Sequence, residues 1–273
     1  MPTKRIVGIL SVAALLASAT LAAAHETWLM PSNMRVAPGH TVELHVSSGM
    51  KFPANELPID PARVVLAEVR TGGNIERLSA PRATRRSLRY MWTPRQQGVA
   101  TISIALKPRT LELEPKLIEE YLTEIRADSI VRSEWNKVPA PRRWRETYTK
   151  YARSFVRVGK SEQDSKWNSP TGLDFEIVPE SNPTALSAGD ALPIRVLLHR
   201  APLANFPVGA RREGGSADAF VTTDASGRAS VPLPKQGRWL LFGTHLKRAN
   251  EPNLEWRSDF VTMTFAVAPA RSR

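Results

Sequence analysis

The first residue with a chemical role to consider is His25, which directly follows the segment Ala22-Ala-Ala24. If the chain is cleaved after Ala24, the α-amine and the imidazole of His25 can chelate one metal ion in a six-membered ring. Imidazole suits copper, nickel and zinc, and an α-amine titrates near neutral pH, so binding requires little deprotonation. One further nitrogen ligand would complete a three-nitrogen site. The alternative is that His25 is simply the residue that follows the cleavage site.

His245 is the best candidate for that further ligand among the five histidines. It ends the apolar segment Trp239-Leu-Leu-Phe-Gly-Thr-His245, where strand packing would hold an imidazole in a fixed orientation. His40, His45 and His199 are instead predicted to face solvent. We therefore predict His25 and His245 as metal ligands, and a hydrogen-bonded core histidine stays open as the alternative for His245.

Residues 1–24 have the layout of a secretory signal peptide. Lys4 and Arg5 precede an apolar segment that begins at Ile6, and the small residues Ala22 and Ala24 occupy the −3 and −1 positions of a cleavage site. The sequence therefore predicts a cleaved signal peptide and a periplasmic or secreted protein; an uncleaved membrane anchor is the alternative. Cleavage lowers the formal charge from +12 to +10, because only two basic residues are removed.

Composition and motifs exclude several classes of function. The chain has no cysteine, which excludes disulfide scaffolds, thiolate zinc sites, iron–sulfur clusters and cysteine nucleophiles. It has no Gly-rich phosphate loop, no His-Glu-x-x-His and no Gly-x-Ser-x-Gly motif, so we predict no catalytic residues and no enzymatic activity. An exported protein does not ordinarily meet nucleic acid, and the basic charge favours an anionic envelope surface as a partner.

The segment from residue 25 to residue 107 is predicted to form an N-terminal β-sandwich unit. Residues Thr41-Val-Glu-Leu-His-Val46 alternate between polar and apolar, as in a strand with one buried face. The β-branched segments Arg63–Val69 and Gly98–Leu106 predict two further strands.

Residues 108–160 are predicted to form a short helical insertion. Apolar residues recur at helical spacing after Pro115, at Leu117, Ile118, Tyr121, Leu122 and Ile125. A second helix is predicted from the aromatic spacing of Trp144, Tyr148, Tyr151 and Phe155, which would give that helix one aromatic face.

A strand and linker at residues 161–183 lead to a second β unit at residues 184–267 and a tail at residues 268–273. The second unit has the length and turn spacing of an immunoglobulin-like sandwich. The predicted fold class is therefore mainly β, with two immunoglobulin-like β-sandwich units and a short helical insertion between them.

The order of several short motifs resembles an uncharacterised family of bacterial periplasmic proteins. The motifs are Ala24-His-Glu-Thr-Trp-Leu-Met-Pro-Ser32, Tyr148-Thr-Lys-Tyr-Ala-Arg153, Leu173-Asp-Phe-Glu-Ile-Val-Pro-Glu-Ser-Asn-Pro183, Thr223-Asp-Ala-Ser-Gly227 and Gly237-Arg-Trp-Leu240 with His245. Members of this family are described as the periplasmic component of nickel/cobalt uptake systems. The resemblance implies export, an all-β immunoglobulin-like architecture and a transition metal, with His25 and His245 matching histidines of the family.

Two residues depart from the family pattern. The family commonly has lysine where this chain has Arg153, and methionine where it has Leu246. The missing methionine removes a soft ligand and weakens a copper(I) role.

These observations leave three hypotheses. The first is an exported accessory protein that binds nickel, cobalt or copper and passes it to a membrane metal transporter. The second is a non-catalytic envelope binding or scaffold module. The third is a copper oxidase that uses the N-terminal histidine chelate.

Overall fold

A computed structural model describes residues 25–160, 166–215, 218–250 and 254–271. The predicted signal peptide lies outside the described residues. The strands are β1 Glu26–Pro31, β2 Arg35–Val36, β3 Val42–Gly49, β4 Leu57–Pro58, β5 Val64–Thr71, β6 Asn74–Arg77, β7 Arg82–Ala83, β8 Leu88–Trp92, β9 Gly98–Leu106, β10 Arg109–Leu113, β11 Trp144–Val158, β12 Phe175–Pro179, β13 Ala191–Leu198, β14 Ala201–Pro202, β15 Pro207–Arg212, β16 Ala219–Thr222, β17 Arg228–Pro232, β18 Gly237–Arg248 and β19 Trp256–Val267. The α-helices are α1 Pro115–Glu124 and α2 Ser129–Asn136.

A ten-stranded sheet, called the large sheet below, runs through the whole fold. Its strand order is β16-β15-β18-β19-β11-β9-β5-β6, and β2 and β10 also pair with β11. β19 is antiparallel to β18 and parallel to β11, so these central strands join the two halves of the chain in one sheet. The second sheet has the order β1-β3-β8-β7 with β4 beside β3, and the third contains β12, β13, β14 and β17.

The two faces of the large sheet bury different partners. One face, called the helix-side face, carries Ala152 and Phe260 and packs against the second sheet and both helices. The other, called the β12-side face, carries Tyr151, Phe155 and Val261 and packs against the third sheet. The predicted mainly β fold class with β-sandwich units and a short helical insertion is confirmed, and the two sandwiches share the large sheet as a common layer.

The second predicted helix is wrong, because residues Trp144–Val158 form the long central strand β11. Trp144 and Tyr148 point to the helix-side face, whereas Tyr151 and Phe155 point to the β12-side face. A strand that is buried on both faces can carry aromatic residues on both. The aromatic residues of β11 are shared between its two faces in this way, and their combined spacing resembles that of a helix.

The first predicted helix is confirmed as α1, which begins at Pro115 and buries Ile118, Tyr121 and Leu122. α2 was not predicted; it begins after Asp128, whose side chain accepts a hydrogen bond from the Val131 amide at 2.8 Å. The domain boundaries at residues 107, 160 and 183 stay predictions. Within the described part of the chain, neither helix has the length and apolar character needed to cross a membrane.

Candidate functional site

His25 lies immediately before β1, over the helix-side face of the large sheet. The Lys150 ammonium on β11 donates a hydrogen bond to the His25 carbonyl oxygen at 2.5 Å, which fixes the backbone at this point. The Nδ1 atom of His25 is buried and has no hydrogen-bond partner among the described residues. Buried polar atoms are rarely left unpaired, so this nitrogen is a candidate ligand atom.

The carboxylate of Glu56 is held close to His25. Glu26 pairs with Gly49 across β1 and β3, and a side chain at Gly49 would come within 2.5 Å of the Glu56 carboxylate. Glu56 Oε1 accepts hydrogen bonds from the backbone amides of Met50 at 3.1 Å and Lys51 at 2.6 Å. Burial and, secondarily, Lys150 lower the pKa of His25, whereas Glu56 opposes that shift.

A network of charged groups extends from His25 into the interior. Arg211 donates to Glu26 at 3.2 Å and binds Asp218 with two hydrogen bonds of 2.8 and 2.7 Å. Burial raises the pKa of Glu26, and Arg211 opposes this shift. Burial lowers the pKa of Lys150 to about 7, although the nearby Glu26 carboxylate favours its charged form.

Glu146 ends this network beneath α1. Its carboxylate accepts hydrogen bonds from the Tyr121 hydroxyl and the Trp144 indole, both at 2.8 Å, and from the Ser258 hydroxyl. Burial raises the pKa of Glu146. Sequence analysis missed both Lys150 and Glu146; the available signal was the presence of isolated charges inside an aromatic-rich segment.

His245 lies on the β12-side face. It pairs with Asp259 across β18 and β19, and its ring centre is 6.5 Å from that of Phe175 in β12. Its Nδ1 atom is also buried without a hydrogen-bond partner among the described residues, and burial lowers its pKa.

The structure does not bring His25 and His245 together, because the large sheet lies between them. Lys150, which holds His25, and His245 point to opposite faces of that sheet. Within residues 25–160, 166–215, 218–250 and 254–271, no group of three or more His, Asp or Glu side chains is arranged to hold a metal ion. The two predicted ligands therefore do not form a joint site in this arrangement.

A cavity of about 420 Å³ opens on the β12-side face and is called the β12-side cleft below. Its lining residues are Val65, Leu66, Ala105, Leu106, Pro108, Thr147, Thr149, Tyr151, Thr171, Gly172, Leu173, Asp174, His199, Arg257 and Asp259. The Tyr151 hydroxyl donates to Asp174 at 3.5 Å. Burial and the carboxylates of Asp259 and Asp174 raise the pKa of Tyr151, and burial raises that of Asp259.

Fold and site together define a multi-sheet β protein with a histidine at the edge of a buried charged network. The chain belongs to the family described as domain of unknown function DUF4198, which matches residues 22–246. The predicted membership of an uncharacterised family is thus confirmed.

Structural comparisons give distant similarities. The D0-D1 domain of intimin is 10% identical with a TM-score of 0.21, over 88% of this chain and 97% of that one. A mutant of Salmonella alpha-2-macroglobulin is 12% identical with a TM-score of 0.27, over 90% of this chain and 15% of that one. The Yersinia pseudotuberculosis adhesin InvE is 11% identical with a TM-score of 0.23, over 90% of this chain and 59% of that one. A comparison with curated proteins finds no match.

Proposed function

We propose that the mature protein is an exported, periplasmic accessory protein that binds nickel, cobalt or copper at His25 and passes the metal to a membrane transporter. The observation that carries this proposal is the buried Nδ1 atom of His25, which has no hydrogen-bond partner among the described residues. Nδ1 is the ring atom that can close a six-membered chelate with the α-amine that cleavage after Ala24 would create. The bound metal would be cargo, so the proposal requires no catalytic step.

The surroundings of His25 support this ligand set. Lys150 holds the His25 carbonyl oxygen, so the histidine backbone is fixed before any metal binds. Glu56 supplies a carboxylate close to the ring, held by two backbone amides. An amine, an imidazole and a carboxylate together suit divalent nickel, cobalt and copper.

His245 is left out of the proposed ligand set. Its position on the β12-side face separates it from His25 by the large sheet. This separation makes His245 a matched control, because His25→Ala and His245→Ala remove the same side chain from opposite faces.

The first experiment uses protein matured in the periplasm. Intact mass establishes whether His25 is the first residue, and calorimetric titration with Ni²⁺, Co²⁺, Cu²⁺ and Zn²⁺ then compares the wild type with His25→Ala and His245→Ala. A further variant with one alanine inserted before His25 keeps the imidazole and displaces the α-amine. We expect about 100-fold weaker binding for His25→Ala and for the insertion, and unchanged binding for His245→Ala.

Three outcomes would count against the proposal. Equal losses in His25→Ala and His245→Ala would indicate a site that involves both faces. Full affinity in the insertion variant would show that the α-amine is not a ligand. A lack of binding to all four metals, with His25 confirmed as the first residue, would favour an envelope binding module instead.

A further inference from the structure

Met50 lies directly beyond the strand pairing that ends next to His25. The antiparallel register of β1 and β3 ends with Glu26 opposite Gly49, and His25 and Met50 are the next residues on the two strands. We propose, relying on the proposed metal site at His25, that the Met50 thioether is a further ligand there and that copper(I), Cu⁺, is the metal bound. Thioether ligands are soft and select Cu⁺ over harder divalent ions such as Ni²⁺ and Co²⁺.

Two observations place the backbone of Met50 beside His25. Paired strands lie about 4.8 Å apart, and the two residues directly follow a paired position. Glu56 connects them independently, because its Oε1 atom accepts a hydrogen bond from the Met50 amide at 3.1 Å and its charge acts on the His25 imidazole. A methionine side chain has three rotatable bonds, so its sulfur can adapt to a metal held by the residue opposite.

The turn that carries Met50 is packed against the strand that begins next to His25. Phe52 is 6% exposed, and its ring contacts that of Trp28 edge-on, with the ring centres 5.7 Å apart. Trp28 belongs to β1, three residues after His25. The backbone on both sides of the proposed ligands is therefore held in place before metal binds, which lowers the entropy lost on binding.

Methionine is the only source of a sulfur ligand, because the chain has no cysteine. Met30 and Met263 are buried, at 5% and 0% exposure, and Met34 is partly buried against the core. Met50 and Met91 are 54% and 55% exposed, so their sulfur atoms are accessible to a metal ion. Of these two, Met50 is the one whose backbone lies beside His25.

Met91 provides a matched control for Met50. It has the same side chain and nearly the same exposure, but it pairs with Glu43, which lies six residues before Gly49 on β3. Six residues of strand span about 20 Å. Met91→Leu therefore removes an equally exposed thioether at a distance from the proposed site.

The test measures the Cu⁺ affinity of the full mature chain without oxygen, in competition with a colorimetric Cu⁺ chelator. Met50→Leu keeps the volume and apolar character of the side chain, so the fold should be retained. It should weaken Cu⁺ binding by at least about tenfold, since loss of even an indirect partner of a metal ligand costs about that much. Met91→Leu should bind Cu⁺ as the wild type does. Ni²⁺ and Co²⁺ binding, measured by calorimetry, should be weaker than Cu⁺ binding in the wild type and unchanged in Met50→Leu.

A further variant exchanges the soft ligand for an imidazole. Met50→His should weaken Cu⁺ binding and strengthen Ni²⁺ binding, which loss of structure alone would not do. X-ray absorption of the Cu⁺-loaded protein should show a sulfur ligand in the wild type and in Met91→Leu, and none in Met50→Leu.

The outcomes distinguish failure of Met50 as a ligand from failure of the His25 site. Cu⁺ binding that is lost in His25→Ala but unchanged in Met50→Leu would overturn the role of Met50 and leave the His25 site intact. Equal losses in Met50→Leu and Met91→Leu would indicate nonspecific thioether binding and would also overturn it. Wild-type binding of Ni²⁺ or Co²⁺ as tight as that of Cu⁺ would overturn the choice of copper(I). A wild type that binds none of these ions would overturn both proposals.

Discussion

Lys150 and Arg153 lie three residues apart on β11, on opposite faces of the large sheet, and are 3% and 0% exposed. Arg153 donates to Glu176 at 3.2 Å, to the Ile177 carbonyl oxygen at 3.1 Å and to the Ser169 carbonyl oxygen at 3.4 Å. Lys150 donates to the His25 carbonyl oxygen. Burial lowers the pKa of Arg153 to about 10 and that of Lys150 to about 7.

Arg153 and Lys150 have different partners, so the two faces of β11 have different roles. Glu176 also accepts hydrogen bonds from the Thr171 amide and hydroxyl and from the Gly172 amide, so the Arg153 cluster closes a loop against the third sheet. Lys150 instead lies against the aromatic rings of Tyr148 and Phe260, and its ammonium reaches the mature N-terminus that we propose. We interpret Arg153 as a structural clamp and Lys150 as the group that positions His25.

The largest expected change in the free energy of unfolding comes from removing the Arg153 guanidinium. Arg153→Met leaves the Glu176 carboxylate buried without its cation, which should lower the free energy of unfolding by about 3–5 kcal/mol. Urea denaturation at pH 7 measures this change. A loss below about 1 kcal/mol would contradict the interpretation of Arg153 as a clamp.

A smaller effect is expected for Arg153→Lys, which introduces the residue commonly present in the resembled family. Lysine keeps the charge but cannot reproduce the planar guanidinium that reaches Glu176 and two carbonyl oxygens together. The free energy of unfolding should fall by about 1–3 kcal/mol, again measured by urea denaturation. A loss as large as that of Arg153→Met would mean that the shape of the guanidinium matters more than its charge.

The smallest expected effect, counted per pH unit, concerns Lys150. The pKa of Lys150 is about 7 when folded and 10.5 in its ordinary state, so between these values the unfolded chain binds more protons. Stability should therefore rise with pH across this window, by at most about 1.4 kcal/mol per pH unit from this group. Lys150→Met should remove this contribution.

The comparison of wild type and Lys150→Met is made by urea denaturation of metal-free protein at pH 7, 8 and 9. Lys116→Met, which removes an exposed lysine in the first turn of α1, serves as the control. Identical pH slopes for wild type and Lys150→Met would show that Lys150 titrates normally in the folded protein.

Sequence periodicity predicted those strands in which one face is polar or the β-branched residues are continuous. β9 was predicted at its observed bounds, and β5 was displaced by one or two residues at each end. β11 could not be recognised from the sequence, because both of its faces are buried and both carry aromatic and charged residues. The charged groups find their hydrogen-bond partners only in the folded protein. Glu146, for example, is acceptable there because Tyr121, Trp144 and Ser258 donate to it.

The candidate sites also differ in how far the sequence alone predicts them. His25 could be predicted as a ligand because the proposed chelate depends on a position in the sequence, directly after a predicted cleavage point. The pairing with His245 depends on which face each side chain occupies, and that is decided by strand register across β18, β19 and β11. The β12-side cleft draws on residues from several separate segments, and its composition has no local signature in the chain.

The position of β19 has a consequence for how the polypeptide is made. β19, residues Trp256–Val267, lies in the middle of the large sheet and bridges β18 to β11. During synthesis the N-terminal strands emerge long before this bridge, so the nascent chain presents β11 as an open edge until β19 arrives. We expect the large sheet to be completed only after β19 has been synthesised, and the open edge of β11 to be prone to aggregation until then.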